Sequence, residues 1–460
     1  MRFIAIAAVL LSFPLLMQLL RSDPRWRKWA YFGLGLLPFT VAAWNLDAGL
    51  VNWATWAGFA KGYVLTLEDT LALAIIMTHP RPKGAPPLIG WLYLFMVTVS
   101  LSIPGATMPM AASFYVFQLA RVALVFAAVA KIAGDPKALM WLGLGLASAM
   151  TLEAGVCLYQ RFHGAFRAAG TMSHPNQLGM MAHFVVLPLL GMILSGYRSK
   201  IMMLGIASGL VVIVLGASRA TMGFLGTGMV LTMLLSLRRG ATPKKMQMVG
   251  LAAAALVVAT PFLLHSVGQR LAQQLESQSD YDERAAFERA AKMMWAEHPL
   301  GVGATNYVLV ANTQGYSARA GVVWNSGSRA ANVHNTYLLT AAELGWPGII
   351  AYVLMLATSI VAGWRWSFAS RRDPRGDITL GCTVALMMMA LHSQYEWITV
   401  TYEVQYTIAI AMGIISGLTR QRKLEQRQAR ELRRAGLSQA ELESVGSGQP
   451  VGAGQPVPVS

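Results

Sequence analysis

The chain has 460 residues, 55% of them hydrophobic and 13% charged, with 37 Lys and Arg against 21 Asp and Glu. A net charge of +16 would suit nucleic acid if the basic residues shared one face. They sit instead in short loops between apolar runs and in the C-terminal tail, which is the pattern that orients a membrane protein. Two cysteines, Cys157 and Cys382, both inside apolar runs, exclude a disulfide framework and a cysteine-based metal site and read as packing residues.

In chain order, apolar runs lie near 1–20, 29–44, 57–78, 88–103, 112–133, 139–161, 175–195, 201–217, 220–237, 247–264, 337–363, 378–392 and 403–419. The runs are continuous rather than alternating, so the expected fold is all-α, a polytopic integral membrane protein with 12–13 transmembrane helices. The first run lacks a small-residue cleavage site and reads as retained. Arg21 to Lys28, Arg81 and Lys83, Arg198 and Lys200, Arg238 to Lys245, Arg365 to Arg375 and the tail after Arg420 place their loops inside. Alternation puts 104–111, 161–174, 217–220, 265–336 and 393–402 outside; the last of these carries only Glu396, with Glu403 beside it. The expected organisation is an N-terminal bundle (1–264), one long outer loop (265–336), C-terminal membrane helices (337–419) and a basic inner tail (420–460). The tail to Ser444 reads as a charged helix near anionic lipid headgroups, and the low-complexity end as disordered.

The outer loop is the only extramembrane segment long enough to hold structure. Around 281–298, Phe287, Ala290, Ala291, Met294 and Trp295 recur at helical spacing. Asp280 and Asp282 favour the positive helix end, and Pro299 with Gly301 marks the stop. The D-Y-D spacing is explained better by this helix start than by metal ligation, and no metal is expected. Arg284 lies at the edge of the apolar face. From Gly301 to Asn332 the composition turns to Gly, Ser, Asn and Ala, so an irregular or mobile connection is expected to lead to His334.

Arg167, Arg219, Arg284 and His334 thus fall on one side of the membrane. A juxtamembrane arginine is usually a headgroup anchor, but Arg219 stands in so short a turn that it must point at an anion near the surface, and several such forks together suit a diphosphate. His334 and Asn335 stand at the start of a long apolar segment, where the helix dipole disfavours an imidazolium and suits a general base. His174 and Asn176 open another span around Pro175, a first-turn proline, and are further polar candidates.

FRAAGTMSHPNQLGM, GASRAT, DERAAFERAAKMMWAEHPLGVGATNY and HNTYLLTAAELGWPG, in this order over about residues 150–360, resemble the O-antigen ligase and polymerase superfamily. The resemblance implies a GT-C-like glycosyltransferase of the bacterial inner membrane whose active site faces the periplasm. Its implied donor is an undecaprenyl-diphosphate-linked glycan, and its acceptor lipid A-core or another glycan, with no cofactor. It makes His334 the catalytic residue and Arg167 and Arg284 the diphosphate clamp, with Arg219, His174, Asn176 and Asn335 as further substrate-binding candidates. Inversion at the anomeric carbon follows from a single displacement assisted by His334.

Ligation is favoured over polymerisation on the HNTYLL to ELG segment, with the sugars and acceptor open. The charges at Lys61, Glu68, Asp69, Arg121 and Glu153 inside apolar runs must pair or face a cavity. A proton-coupled transporter using Glu68, Asp69 and Glu153 is therefore a distant alternative, and a scaffold acting through the basic tail a more distant one.

Overall fold

The computed structural model describes residues 2–80, 84–250 and 282–434, with Pro261 and Gly268. Nearly all of its regular structure is helical. In chain order the N-terminal helices are α1 (Arg2–Ser22), α2 (Arg25–Thr40), α3 (Leu67–Thr78), α4 (Ile89–Leu101), α5 (Pro109–Ile132), α6 (Pro136–Phe162), α7 (Pro175–Ser195), α8 (Lys200–Leu215) and α9 (Arg219–Arg239). After them come α10 (Glu283–Glu297), three short helices α11 (Tyr307–Thr313), α12 (Tyr316–Arg319) and α13 (Ser326–Arg329), then α14 (Thr336–Phe368), α15 (Arg375–His392) and α16 (Tyr402–Arg434). Among the described residues α5, α6, α7, α9 and α14 are long and apolar enough to cross a membrane. Most of the run at 247–264, Asp280, and the low-complexity end lie outside the described residues.

The expected span at 57–78 is not a continuous helix. Where the sequence suggests a helix over 57–78, β1 (Asp47–Asn52) and β2 (Gly62–Thr66) form an antiparallel hairpin with Asp47 opposite Thr66. Lys61, expected among the charges of that span, lies exposed beside the hairpin. Only α3 follows, and its 12 residues rise about 18 Å, short of the ~30 Å hydrocarbon core. The cause is local. Gly-Tyr-Val-Leu-Thr suits a strand, and Thr66 with Asp69 forms a reciprocal capping box that stops the strand and starts the helix.

Helix α7 is the centre of the bundle, buried from Asn176 to Leu194, as an apolar surface all round demands. It meets α15 through small residues: a Cβ on Gly191 would stand 2.3 Å from the Asp377 carbonyl, and one on Gly381 2.3 Å from that of Leu187. Close backbone approach of this kind is how helices gain packing where lipid removes the hydrophobic drive.

Buried charges are largely paired. Arg121 Nε donates to Asp69 at 2.7 Å, and Tyr406 bonds both groups. Asp377 holds Arg239 at 3.0 Å and Lys245 at 2.9 Å. Glu153 accepts from the Thr171 amide at 2.8 Å and from its hydroxyl, so it fixes the loop after α6. Glu68 is buried with no hydrogen-bond partner among the described residues.

The connection from Gly301 to Asn332, expected to be irregular or mobile, is folded around buried Tyr307 and Tyr316. Its order comes from a break in α14. Pro347 cannot continue the ladder, and Gly345 is left-handed at φ 62°. The amides of Val302 and Gly303 donate to the carbonyls of Ala342 and Glu343 at 3.1 and 2.8 Å, and the Trp346 amide donates to Pro299 at 2.9 Å. The loop thus satisfies backbone groups freed by the kink, and Glu343 also accepts from the Tyr307 amide at 3.1 Å.

Candidate active site

Four chain segments converge at the end of the bundle where α7, α14 and α16 begin. The first is the loop between α6 and α7. Gln160 accepts from the amides of Ala169 and Gly170 and donates to the Gly170 carbonyl, while Glu153 holds Thr171. Gly170 is left-handed at φ 63°, and a Cβ there would meet the Glu153 carboxylate at 2.0 Å, so the turn admits only glycine. This frame carries Arg167 to the turn between α8 and α9, where its Nε donates to the Gly216 carbonyl at 3.1 Å and its Nη2 to Asn176 Oδ1 at 2.7 Å.

His174 caps α7 through its ring: Nδ1 accepts from the Asn176 amide at 3.1 Å, which puts the proton of the neutral ring on Nε2. Burial, then the charge on Arg167, lowers its pKa and keeps the ring neutral, against a smaller opposing pull from Glu396. Pro175 occupies the first turn as the sequence suggests.

The second segment is α10. Asp282 caps it, accepting from the amides of Arg284 and Ala285, and Ala286, Phe287, Ala290, Ala291 and Met294 form the buried face. Arg284 lies at the rim with its side chain 55% exposed.

The third is the start of α14. Asn335 caps the helix, its Oδ1 accepting from Tyr337 and Leu338 amides at 3.0 and 3.1 Å, so its amide oxygen serves the helix end and Nδ2 is the group left to face a ligand. Thr336 ties this end to the turn after α15: its amide donates to the Ser393 carbonyl at 2.8 Å and its hydroxyl to the Glu396 carbonyl at 2.7 Å.

That turn supplies the residue at the hub, Glu396. One carboxylate oxygen accepts from Asn176 Nδ2 and lies 3.5 Å from Arg284 Nη2; the other lies 3.3 Å from His334 Nδ1. Burial opposes ionisation of Glu396, but the hydrogen bond from His334, the charge that ring carries when protonated and the charge of Arg284 hold its carboxyl below the usual range. With Nδ1–H turned to this carboxylate, the His334 ring offers the lone pair of Nε2 on its other side. The ring is 29% exposed and rests near Phe287, centroids 6.1 Å apart.

Of the residues singled out in sequence, Arg167, Asn176, Arg284 and His334 are joined by these contacts, and His174 abuts them. Arg219 is exposed as the first residue of α9, three residues after the Gly216 carbonyl that holds Arg167. Two guanidinium groups face one carboxylate, leaving the cluster net positive and suited to an anion. Among the described residues no group of three or more His, Cys, Asp or Glu is placed to hold a metal.

Removing the hub tests its role. Glu396→Gln is expected to slow the reaction at this site by about 10- to 100-fold, the usual cost of losing the partner that orients a working histidine. Because its folded pKa is depressed, Glu396 contributes stability that is complete above the unfolded carboxylate range and is lost as pH falls through the lower folded value. The melting temperature of the wild type should therefore drop more than that of Glu396→Gln between pH 6 and pH 3. Parallel melting curves would contradict this.

A bundle of long apolar helices with a polar, cationic cluster at one end is a multi-pass membrane protein. Residues 183–353 match the family model described as O-antigen ligase, so this part of the chain is similar to the O-antigen ligase-like superfamily, which supports a glycosyltransferase-like activity on lipid-linked glycans in general. The match covers Arg219, Arg284 and His334; Arg167, His174 and Asn176 precede it and Glu396 follows it. No curated protein matches the chain.

Proposed function

We propose that the chain transfers a glycan from an undecaprenyl-diphosphate carrier to an acceptor hydroxyl at the periplasmic face of the bacterial inner membrane, most simply O-antigen ligation to lipid A-core. The observation that carries this reading is the meeting of His334, Arg284, Asn176 and Arg167 around Glu396. The acceptor oxygen attacks the anomeric carbon as the bond to the diphosphate oxygen breaks. His334 Nε2 takes the hydroxyl proton while Glu396 steadies the developing imidazolium. Arg167 and Arg284 neutralise the departing diphosphate, and a single displacement inverts the anomeric centre.

The arginines supply the positive charge that a divalent cation would bring to a diphosphate leaving group. Purified enzyme is therefore expected to keep its rate in excess EDTA; a loss restored by one added metal would refute that assignment.

Polymerisation of lipid-linked repeat units uses the same chemistry with a second lipid-linked glycan as acceptor. In the native host lacking this chain, long unused glycans on the lipid carrier would support ligation, and accumulated single repeats would support polymerisation. An unchanged glycan profile would overturn both.

A further inference from the structure

At the other end of the bundle from the Glu396 cluster, the ends of α5, α6, α7, α15 and the middle of α16 enclose an apolar groove of about 370 Å3. The 21 residues of α7 put roughly 30 Å between this groove and Asn176, so the two are separate sites. Its walls include Leu139, Tyr197, Ile378 and Leu418. The volume falls within the range of about 300–1,000 Å3 typical of small-ligand pockets.

Beside Tyr197 the rim is cationic; elsewhere its charge is met, with Arg375 in the wall paired to Asp373 and Glu425 and Asp135 between the wall residues Gly134 and Pro136. Tyr197, a wall residue, accepts Lys244 Nζ at its carbonyl at 3.5 Å, and Arg198 follows it, exposed. Neither Lys244 nor Arg198 has a carboxylate partner within 4 Å among the described residues. Partial burial, then the neighbouring Arg198 charge, lowers the Lys244 pKa, so the two cations stand close to each other. A second unmet group stands at the wall: Gln421 Oε1 is buried without a hydrogen-bond partner among the described residues, 3.2 Å from where a Cβ on Gly134 would lie. An acceptor in that position asks for a donor, such as a hydroxyl.

We propose that this groove binds an anionic phospholipid with a hydroxylated headgroup, one acyl chain in the groove and the phosphate between Arg198 and Lys244. Charge complementarity selects the occupant: an apolar slot capped by two unpaired cations fits a chain ending in a phosphodiester. A zwitterionic lipid brings its own ammonium against the same cations. The site is independent of the transfer reaction and lies on the side to which the basic loops assign the inner leaflet.

Delipidated full-length protein in detergent, titrated with phosphatidylglycerol, phosphatidylethanolamine and inorganic phosphate and read by native mass spectrometry, tests this. Phosphatidylglycerol is expected to bind at least ten-fold tighter than phosphatidylethanolamine, with phosphate unable to displace it. The double variant Arg198→Glu with Lys244→Glu should abolish the preference. A photoactivatable acyl chain should label 133–139, 195–197 or 374–378 in the wild type, which keeps the proposal testable if the double variant folds poorly. Equal binding of the two lipids, displacement by phosphate, a preference that survives charge reversal, or labelling elsewhere would each overturn it.

Discussion

His334→Ala is expected to lower the rate of glycan transfer by about 10² to 10⁴-fold, the span that a well-placed general base contributes, while donor binding changes little. The ring is partly exposed and, among the described residues, its polar partner is Glu396, so its removal leaves no large cavity but takes a hydrogen bond from a buried carboxylate. The variant should express and fold, with a modestly lower melting temperature than the wild type. Initial rates with a defined lipid-diphosphate donor, alongside donor affinity, separate the two quantities. Because the wild-type ring takes a proton through Nε2, His334→Gln, which keeps polarity and some of the shape, should be as slow as the alanine variant. Free imidazole in the assay should restore part of the rate to the alanine variant alone. Activity within three-fold of wild type in either variant would remove His334 from the chemistry and leave the cluster a purely electrostatic device.

Much of this site is legible in the linear chain because its cations stand at span boundaries, where charge has few structural reasons to be. Arg167, Arg284 and His334 come forward in this way, and the caps of α7 and α14 are written in HPN and HNT. Glu396 does not come forward. It is 62 residues from His334 and 220 from Asn176, and an acid in an outer turn reads as solvated until the fold shows its side chain 5% exposed. One signal pointed to it: Glu396 is the sole charge in 393–402, and an isolated carboxylate beside apolar spans wants cationic company. Asn335 shows a second limit: that its amide oxygen is committed to the helix end, leaving Nδ2 for any substrate contact, is visible only in the fold.

The fold divides along similar lines. Helical spans are set by hydropathy over long windows and were readable as such. The β1–β2 hairpin was not, since Gly62 to Thr66 merges by composition with the apolar helix that follows; the boundary is carried by Thr66 and Asp69 alone. The outer loop fails for another reason. Gly, Ser and Asn mark turns but do not reveal that the backbone of 299–303 pairs with a helix 40 residues later, a contact made possible only by the Gly345 and Pro347 kink. Mid-span charge in a sequence implies either pairing or a pathway, and the structure shows pairing for most of it: Arg121 with Asp69, and Glu153 with Thr171.

The second large effect is expected at Arg284, where substitution by alanine should cost about 10² to 10³ in rate, comparable to removing one preorganised donor from a site of developing charge. Arg284 and Arg167 are not equivalent. Arg167 is committed on two sides, to Gly216 and Asn176, and works as a fixed charge in the floor. Arg284 is 55% exposed and meets Glu396 at 3.5 Å, a loose contact that an incoming diphosphate can replace with two better ones. Arg284→Lys keeps the charge and loses the planar fork, so a partial defect of roughly ten-fold is expected if bidentate geometry matters as it does for phosphate recognition generally. The ordering wild type, lysine, alanine should appear in kcat, since the leaving group gains charge only as the glycosidic bond breaks and the extra interaction belongs to the transition state. An alanine variant that raises KM while kcat stays at the wild-type value would instead make Arg284 a docking residue for the intact donor. The stabilisation of the departing diphosphate would then fall to Arg167.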